Sequence, residues 1–557
     1  MTTGSAEGDD GGRRLARRIA AWLTTVVAGL FVAFILTVPP DLTRITPDEF
    51  VRVPVEALVG AVLLLVLPAR ARGVAAAVGG AALGLVAIVK ILDMGVDAIF
   101  YRPFDLVLDW PLFAPAIDFL DVTIGRAGTI GTVVLAGLLV IALVVLTTLS
   151  VVRLSRVVVR HRTATIRSVA AVAVASFTFA VPGLPVTSTS ATAFAFDHAV
   201  QVREGLHDQE AFAAEAAVDA FRDTPGDQLL TGLAGKDVVI SFVESYGRSA
   251  VEHPELAPRI GAVLDKGSRE LREAGFASRS AFLTSPTAGG GSWMAQATLL
   301  SGLWIDNQQR YRNLVTSDRL TLPSAFRRAN WRSVGVMPGI TQAWPEGAFF
   351  DYDRIYAAAD LGYRGPRFGY STTPDQYTLA AFERAERATP GHAPVMAAIP
   401  LVTSHAPWPA APAMVDWKDV GDGSVYRTMA ASDDERMESI LSRDPVDVRA
   451  DYGKSVEYSL TSLISYVREH GDDNLVLVFL GDHQPAQMVT GQNASHDVPI
   501  TVVTRDPAVL DRIAGWGWQD GLKPGSGAPV WRMSDFRDRF LTAFGPQAPP
   551  VQVPPGS

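Results

Sequence analysis

The chain has 557 residues, too many for one ordinary globular domain, and a formal net charge of −9. Nucleic-acid-binding proteins normally present a basic surface, so no nucleic-acid partner is expected. The sequence contains no cysteine, which excludes disulfides, thiolate metal sites and cysteine nucleophiles. It is 48% hydrophobic although 19% of its residues are charged, which indicates a very apolar part joined to an ordinary soluble part.

Five apolar stretches fill the first part of the chain. Most approach the roughly 20 residues that a membrane-spanning helix needs, and the second is the shortest. A buried helical core is the alternative. Helices that pack around the core of a soluble protein usually keep a polar face toward solvent, and these five stretches have none. The predicted spans are residues 19–38, 53–67, 74–92, 130–152 and 169–186.

Arginines cluster before the first span, between the second and third, and between the fourth and fifth, whereas the two other loops are rich in acidic residues. The positive-inside rule therefore predicts a cytoplasmic N-terminus and an extracytoplasmic location for everything after the fifth span. We expect a multi-pass protein of the cell membrane with a disordered cytoplasmic tail over residues 1–18. Aromatic residues in the loop 93–128 suit a segment that lies among the lipid headgroups: Tyr101, Phe104, Trp110 and Phe113.

The second part of the chain alternates between apolar β-rich runs and helical patterns. A linker helix is predicted over 191–230, a soluble domain over 231–544 and a disordered tail over 545–557. Apolar strands separated by helices predict an α/β domain with a mostly parallel central sheet. The predicted strands are 236–244, 331–337, 393–402, 474–482 and 498–504, and the predicted helices include 260–274, 322–329 and 451–470.

Two of these strands end in residues of metal-binding types. One reaches Glu244 in "SFVESYG", and another reaches Asp482 and His483 in "VFLGDHQP". Binding sites of open α/β sheets collect where strands end at their carboxyl edge. The alternative is a simple turn in which Asp482 caps the backbone and His483 is exposed.

Three glycines, residues 289–291, precede Ser292, and a helical pattern follows it. Free N–H groups at a helix N-terminus favour phosphate, and glycines allow the backbone to approach it. Under this interpretation Ser292 is a nucleophile, activated by a cation that Glu244, Asp482 and His483 hold. An oxygen-rich ligand set with one imidazole favours Mn²⁺ or Mg²⁺. A mobile linker with an ordinary serine cap is the alternative, and Thr287 is the reserve nucleophile.

These residues, in this order, resemble the lipoteichoic acid synthase branch of the alkaline phosphatase/sulfatase superfamily. The resemblance covers most of the chain and implies a five-helix transmembrane bundle, a linker helix and an extracellular sulfatase-like α/β domain. Enzymes of that branch transfer phosphoglycerol from phosphatidylglycerol through a phosphothreonine, with Mn²⁺ at the site. Carried over, the resemblance implies metal ligands at Glu244, Asp482, His483 and Ser292, the last in place of the usual threonine.

The resemblance also implies residues that contact the substrate. His405 in "TSHAPW" matches a substrate-side histidine, and Trp344 in "TQAWPEG" matches a tryptophan. His496 in "SHDVPI" resembles a phosphate-binding histidine of related transferases, although a surface histidine is an equal alternative. The sequence departs from the branch at Pro338, where a histidine is usual, and near Glu346, where an arginine is expected.

Three functions follow from this reading. The leading one is a membrane-anchored transferase that moves a phospho-alcohol headgroup, phosphoglycerol first, from a membrane phospholipid to a glycan or glycerol-phosphate acceptor. His405 would act as a general acid/base or contact the phosphate. The second is an exported phosphodiesterase or sulfatase-like hydrolase, although the Cys/Ser-x-Pro-Ser-Arg motif of sulfatases is absent. The third is a catalytically inactive membrane scaffold.

Overall fold

The computed structural model of the protein describes residues 6–40, 50, 52–180, 187–188, 190–368, 373–408, 411–429 and 444–546. The contacts within the chain divide it into two compact units. We call Met1–Ala98 with Arg102–Leu206 the membrane unit, and Ile99–Tyr101 with His207–Ser557 the sheet unit.

Helices build the membrane unit. Among the described residues, three segments are long and apolar enough to cross a membrane: Leu15–Thr37, Ala69–Phe100 and Ile124–Arg160. The helices are α1 (Ala6–Thr37), α2 (Val55–Val66), α3 (Ala69–Phe100), α4 (Phe113–Arg160), α5 (Arg162–Ala180) and α6 (Ser190–Ala217), the last of which continues into the sheet unit. Two short parallel strands accompany them, β1 (Val53–Pro54) and β2 (Thr187–Ser188).

The described residues confirm apolar helices in this unit but not the predicted count of five spans. Helix α2 has 12 residues, so it is about 18 Å long and shorter than a hydrocarbon core of about 30 Å. The end of the fifth predicted span, residues 181–186, lies outside the described residues. Helix α1 begins at Ala6, within the stretch 1–18 that the sequence predicts as a disordered tail. A helix nucleated by its apolar part extends at little cost, since each added residue gains a hydrogen bond.

A mixed sheet forms the centre of the sheet unit. Its order is β10-β4-β9-β8-β3-β7-β5-β6, with β11 also paired to β4. The strands are β3 (Asp237–Val243), β4 (Ala277–Thr284), β5 (Arg332–Met337), β6 (Arg354–Ala357), β7 (Val395–Leu401), β8 (Leu475–Gly481), β9 (Asp497–Thr504), β10 (Gln519–Asp520) and β11 (Val530–Arg532).

Helices surround this sheet. The linker prediction over 191–230 overlaps α6, which ends at Ala217. The further helices are α7 (Ser249–Glu252), α8 (Ala257–Glu273), α9 (Ser292–Ser301), α10 (Gln308–Val315), α11 (Leu322–Arg328), α12 (Asp375–Phe382), α13 (Pro445–His470), α14 (Gln487–Thr490), α15 (Pro507–Arg512) and α16 (Asp535–Phe544).

Strand direction departs from the prediction of a mostly parallel sheet on one side. β6, β5, β7, β3 and β8 run parallel, whereas β9 is antiparallel to both β8 and β4. The connection from β8 to β9 contains only the four-residue helix α14, so it lacks the long crossover helix that usually joins parallel neighbours. The chain therefore turns back, and the sheet is mixed.

Buried apolar side chains cover both faces of the sheet. Along β3, Val238, Ile240 and Phe242 belong to one hydrophobic cluster, and Val239 and Val243 belong to the other. This alternation follows from the two-residue period of a strand. A strand buried on both faces is fixed in position, so the residues directly after its carboxyl end are fixed as well.

The first turns of α4 form a separate helical segment before the membrane-crossing part. Gly125, with φ 72° and ψ 162°, interrupts the helix. Trp110 is 55% exposed, and Phe113 and Ile117 are each 41% exposed. Exposed aromatic and aliphatic side chains that lead directly into a membrane-crossing helix are typical of an interfacial segment.

We expect Ile117 to contact lipid. Because the chain has no cysteine, an Ile117→Cys variant carries a single spin label. In full-length protein in phosphatidylcholine vesicles, this label should be more accessible to oxygen than to a water-soluble nickel complex. A label at Val446, which is 54% exposed on α13 of the sheet unit, provides the aqueous control. Equal nickel accessibility at the two positions would contradict the interfacial placement.

Candidate active site

Four of the predicted site residues meet at the carboxyl edge of the sheet. Glu244 follows the last residue of β3, and Asp482 follows the last residue of β8. These strands are parallel neighbours in which Val243 pairs with Gly481, so both carboxylates leave the sheet at the same level. His483 comes next in the chain, and Ser292 is the first residue of α9.

Short distances connect these side chains. The Ser292 hydroxyl donates a hydrogen bond to Glu244 Oε2 at 2.9 Å, and its Oγ lies 3.1 Å from His483 Nε2. His483 Nε2 lies 3.2 Å from Glu244 Oε1 and 3.8 Å from Asp482 Oδ1. Glu244, Asp482 and His483 are buried, whereas Ser292 is half-buried. Ser292 is therefore the least buried residue of the group.

The group fits a divalent metal ion. Glu244, Asp482 and His483 each offer a ligand atom, and these atoms lie within 4.8 Å of one another. Asp482 Oδ2 is buried and accepts no hydrogen bond from the residues that the structure describes. A buried carboxylate oxygen without a partner is strongly unfavourable, and a cation would satisfy it. Carboxylate oxygens, one imidazole nitrogen and the serine oxygen form a donor set for such an ion.

Contacts with backbone groups orient the side chains of Asp482 and His483. Asp482 Oδ1 accepts hydrogen bonds from the backbone N–H groups of Ser245 and His483, both at 2.8 Å. His483 Nδ1 lies 2.8 Å from the carbonyl oxygen of Gln484. This acceptor places a ring hydrogen on Nδ1, so the nitrogen that faces Ser292 and that a metal ion would use after displacing a proton is Nε2.

Burial and close charges shift the pKa values of the three buried groups. Burial and the charge of Glu244 raise the pKa of Asp482 to about 7. Burial opposes the charged form of Glu244, but His405 and His483 outweigh it, so the pKa of Glu244 lies well below its ordinary value. Burial also opposes a charged His483, but Asp482 and Glu244 outweigh it and raise the pKa of His483 to about 9.

The glycines before Ser292 allow a backbone shape that other residues rarely adopt. Gly289 and Gly291 have φ values of 71° and 79°, in the left-handed region. A Cβ atom at Gly291 would lie 2.8 Å from Met294 Cε and 3.2 Å from Thr287 Cγ2. The positive φ therefore favours glycine where the chain enters α9, and a Cβ atom there would also displace the end of the Met294 side chain.

Hydrogen bonds hold the segment before Ser292 against the strand end that carries Asp482. Ser285 Oγ donates to the carbonyl of Asp482 at 2.6 Å, and Gly289 N–H donates to the carbonyl of Gln484 at 2.7 Å. Ala288 and Gln484 also form a parallel β-bridge. A mobile linker, the alternative that the sequence leaves open, does not account for these contacts.

The other hydroxyls of this segment face elsewhere. Thr284 Oγ1 donates to Asp497 Oδ1 at 2.9 Å, and the Ser285 hydroxyl is engaged with the Asp482 carbonyl. Thr287 is 7% exposed, and its Oγ1 has no hydrogen-bond partner among the described residues. Ser292 is thus the hydroxyl that contacts Glu244 and His483.

The predicted substrate-side residues lie in three places. His405 follows β7 and is half-buried, and its charge acts on the pKa of Glu244. Trp344 lines a small cavity together with Trp293, the residue next to Ser292, and its ring centroid lies 5.7 Å from that of Phe350. The backbone carbonyl of His496 accepts a hydrogen bond from Ser285 N–H at 2.9 Å, and burial lowers the pKa of its ring.

No known protein family and no curated protein matches the sequence. Solved structures do resemble the chain. They include the lipoteichoic acid synthase LtaP from Listeria monocytogenes (14% identity, TM-score 0.37, covering 62% of this chain and 78% of that one). Another is the phosphoglycerol transferase GacH from Streptococcus pyogenes in complex with sn-glycerol-1-phosphate (13% identity, TM-score 0.36, covering 59% and 80%).

A third similar structure is a protein in the alkaline phosphatase superfamily from Vibrio parahaemolyticus (14% identity, TM-score 0.33, covering 56% of this chain and 66% of that one). At such identities and TM-scores, the activity of this chain has to be argued from its own site residues.

We expect the affinity for Mn²⁺ to rise with pH. In the metal-free protein, His483 stays protonated up to about pH 9 and Asp482 up to about pH 7, and a metal ion must displace these protons. Each displaced proton makes the affinity rise by about tenfold per pH unit below the pKa of its group. Calorimetric titration between pH 6 and 9, in buffers of different ionisation enthalpy, measures both the affinity and the protons released. A pH-independent affinity without proton release would contradict this assignment.

Proposed function

We propose that the protein is a membrane-anchored, metal-dependent phosphotransferase that moves a phospho-alcohol headgroup from a membrane phospholipid to a cell-envelope acceptor. The observation that carries the proposal is the position of the Ser292 hydroxyl, within 3.1 Å of both Glu244 and His483. Asp482 Oδ2 is buried and has no hydrogen-bond partner among the described residues, which supports a metal ion at the same place. The site thus combines an accessible nucleophile with a group that can activate it.

The metal ligands of the proposed site are Glu244, Asp482, His483 and the Ser292 oxygen. A divalent ion held there, Mn²⁺ by the resemblance and Mg²⁺ as the alternative, would lower the pKa of the serine hydroxyl and neutralise charge on the phosphate. Glu244 accepts the hydrogen bond of this hydroxyl and so fixes the direction of its oxygen. The Nδ1 contact with Gln484 keeps His483 Nε2 available as a ligand.

The proposed reaction has two displacement steps at phosphorus. In the first, Ser292 Oγ loses its proton and forms a bond to phosphorus, the bond from phosphorus to the diacylglycerol oxygen breaks, and that oxygen receives a proton. In the second, an acceptor hydroxyl loses its proton and forms the new bond to phosphorus, the bond from phosphorus to Ser292 Oγ breaks, and Oγ regains a proton. We assign His405 to the proton transfers or to a phosphate contact, and Trp344 and His496 to substrate binding. The N-terminus of α9 favours the phosphate charge.

The membrane unit supports a phospholipid donor. Three helices of membrane-crossing length confine the chain to a lipid surface, where a phospholipid donor is concentrated. We place the N-terminus in the cytoplasm and the sheet unit outside, as the arginine distribution predicts. The resemblance implies phosphoglycerol as the headgroup and a glycan or glycerol phosphate as the acceptor. The departures at Pro338 and Glu346 make the headgroup the first property to test.

Substitution of Ser292 tests the nucleophile. With Mn²⁺ and phosphatidylglycerol vesicles, Ser292→Ala should reduce diacylglycerol release by at least about 10³-fold, because the bond-forming oxygen is lost. Ser292→Thr should retain part of the activity, since it keeps the hydroxyl. Thr287→Val is the matched control and should remain near wild type. Activity that persists in Ser292→Ala and disappears in Thr287→Val would transfer the role to Thr287.

The products distinguish transfer from hydrolysis. Parallel reactions with phosphatidylglycerol and phosphatidylethanolamine, each with and without a glycerol-phosphate acceptor, identify the better donor. A transferase should form the elongated acceptor product, detected by mass spectrometry, and little free phospho-alcohol. Release of free phospho-alcohol at the same rate with and without acceptor would instead establish a phosphodiesterase. Absence of release from either lipid would withdraw the phospholipid donor.

A further inference from the structure

Asp375, the first residue of α12, is a carboxylate with 0% exposure at the carboxyl edge of the sheet. Its Oδ1 accepts hydrogen bonds from the backbone N–H groups of Val402 at 2.9 Å and Thr403 at 3.0 Å. Its Oδ2 accepts one from the Ser459 hydroxyl at 2.5 Å, and its own N–H donates to Thr403 Oγ1 at 3.0 Å. All of these partners are uncharged, and a buried carboxylate without a cation partner is expensive to maintain.

The contacts of Asp375 hold the segment that leaves β7. Val402 and Thr403 directly follow Leu401, the last residue of that strand. The next two residues are Ser404 and His405. Asp375 therefore binds the backbone immediately before the histidine that we assign to the substrate.

The same segment contacts a proposed metal ligand. The Ser404 hydroxyl donates to the backbone carbonyl of Glu244 at 2.6 Å, and Glu244 N–H donates to the carbonyl of Leu401 at 3.1 Å. His405 N–H in turn donates to the carbonyl of Val402 at 3.1 Å. Hydrogen bonds to the backbone therefore join the two segments. One is the end of β3 with Glu244, and the other is the segment that carries His405.

We propose that Asp375 is a positioning residue of the active site. By fixing Val402 and Thr403, it sets where Ser404 holds the backbone of Glu244 and where His405 lies. The proposal rests on the proposed function, because it assigns Glu244 to the metal and His405 to the substrate. Groups that orient metal ligands from outside commonly change affinity or activity by 10- to 100-fold when they are replaced.

A second buried carboxylate offers a matched control at the other end of the same strands. Asp237, the first residue of β3, is 2% exposed. Its Oδ1 accepts a hydrogen bond from Val395 N–H at 3.0 Å, and its Oδ2 accepts one from Arg387 Nε at 2.9 Å. Asp237 therefore fixes the first residue of β7, whereas Asp375 fixes the residues that follow the last residue of β7. Replacing Asp237 should affect stability without moving the site residues.

The experiment compares Asp375→Asn, Asp375→Ala and Ser404→Ala with Asp237→Asn in the full-length protein. Three quantities are measured for each variant: the Mn²⁺ dissociation constant, kcat and KM for diacylglycerol release, and the midpoint of thermal unfolding. We expect Asp375→Ala to weaken Mn²⁺ binding by about tenfold and to lower kcat by about 10- to 100-fold, with KM changed much less. Asp375→Asn keeps an acceptor oxygen and should lose less than Asp375→Ala. Ser404→Ala should weaken Mn²⁺ binding as Asp375→Ala does.

The control separates positioning from general stability. Asp237→Asn should lower the unfolding midpoint but leave Mn²⁺ affinity and kcat per folded molecule near wild type. The proposal is overturned if the folded Asp375 variants bind Mn²⁺ and turn over like Asp237→Asn. If Asp375→Ala does not fold, the test rests on Asp375→Asn and Ser404→Ala. The positioning proposal is then overturned if both variants bind Mn²⁺ with wild-type affinity. If wild type releases no diacylglycerol from any lipid, the proposed function fails. The Mn²⁺ affinities of the variants still test the positioning role in that case.

Discussion

The sheet unit depends on an electrostatic conflict between two buried carboxylates. β3 and β8 are neighbouring parallel strands, and each is followed by an acidic residue, Glu244 and Asp482. Two like charges close together in a low-dielectric interior repel each other, and burial alone already disfavours each of them. His483 and the backbone N–H groups relieve part of this conflict, but one buried oxygen of Asp482 has no hydrogen bond from the residues that the structure describes. A cation bound there, as we propose, would relieve the rest, and the Ser292 hydroxyl lies beside the same groups.

Much of this arrangement could be predicted from the sequence because it lies at strand ends. Long apolar runs indicated β3, β5, β7, β8 and β9, and the residues that follow β3 and β8 were candidates because of their chemical types. The three glycines indicated the entry to α9 for a physical reason that the structure makes specific: two of them have positive φ values. By contrast, nothing in a run such as "VPITVVT" indicates strand direction, which depends on the length and structure of the connection. The antiparallel placement of β9 was therefore missed.

The contacts that support the site were not predictable. Asp375 lies in "TTPDQY", a stretch that reads as an ordinary helix start, and its partners are 27, 28 and 84 residues away in the sequence. Nothing in the sequence distinguishes Ser285 from the neighbouring hydroxyls, whereas in the structure its hydroxyl donates to the carbonyl of Asp482. Such roles arise from backbone groups that approach after folding, and backbone groups leave no signature in a sequence. The proposed nucleophile, Ser292, was a candidate because glycine and helix signals surround it.

The carbonyl oxygen of Gln484 receives hydrogen bonds from two sides, from Nδ1 of His483 and from N–H of Gly289. One peptide group therefore sets both the rotation of the imidazole and the start of the glycine turn that leads to Ser292. Any thermal displacement of this peptide carries the imidazole and the glycine turn together, so their separation varies less than the position of either. The shared hydrogen-bond acceptor thus limits variation in the distance between Ser292 and His483, even though 190 residues lie between them in the chain.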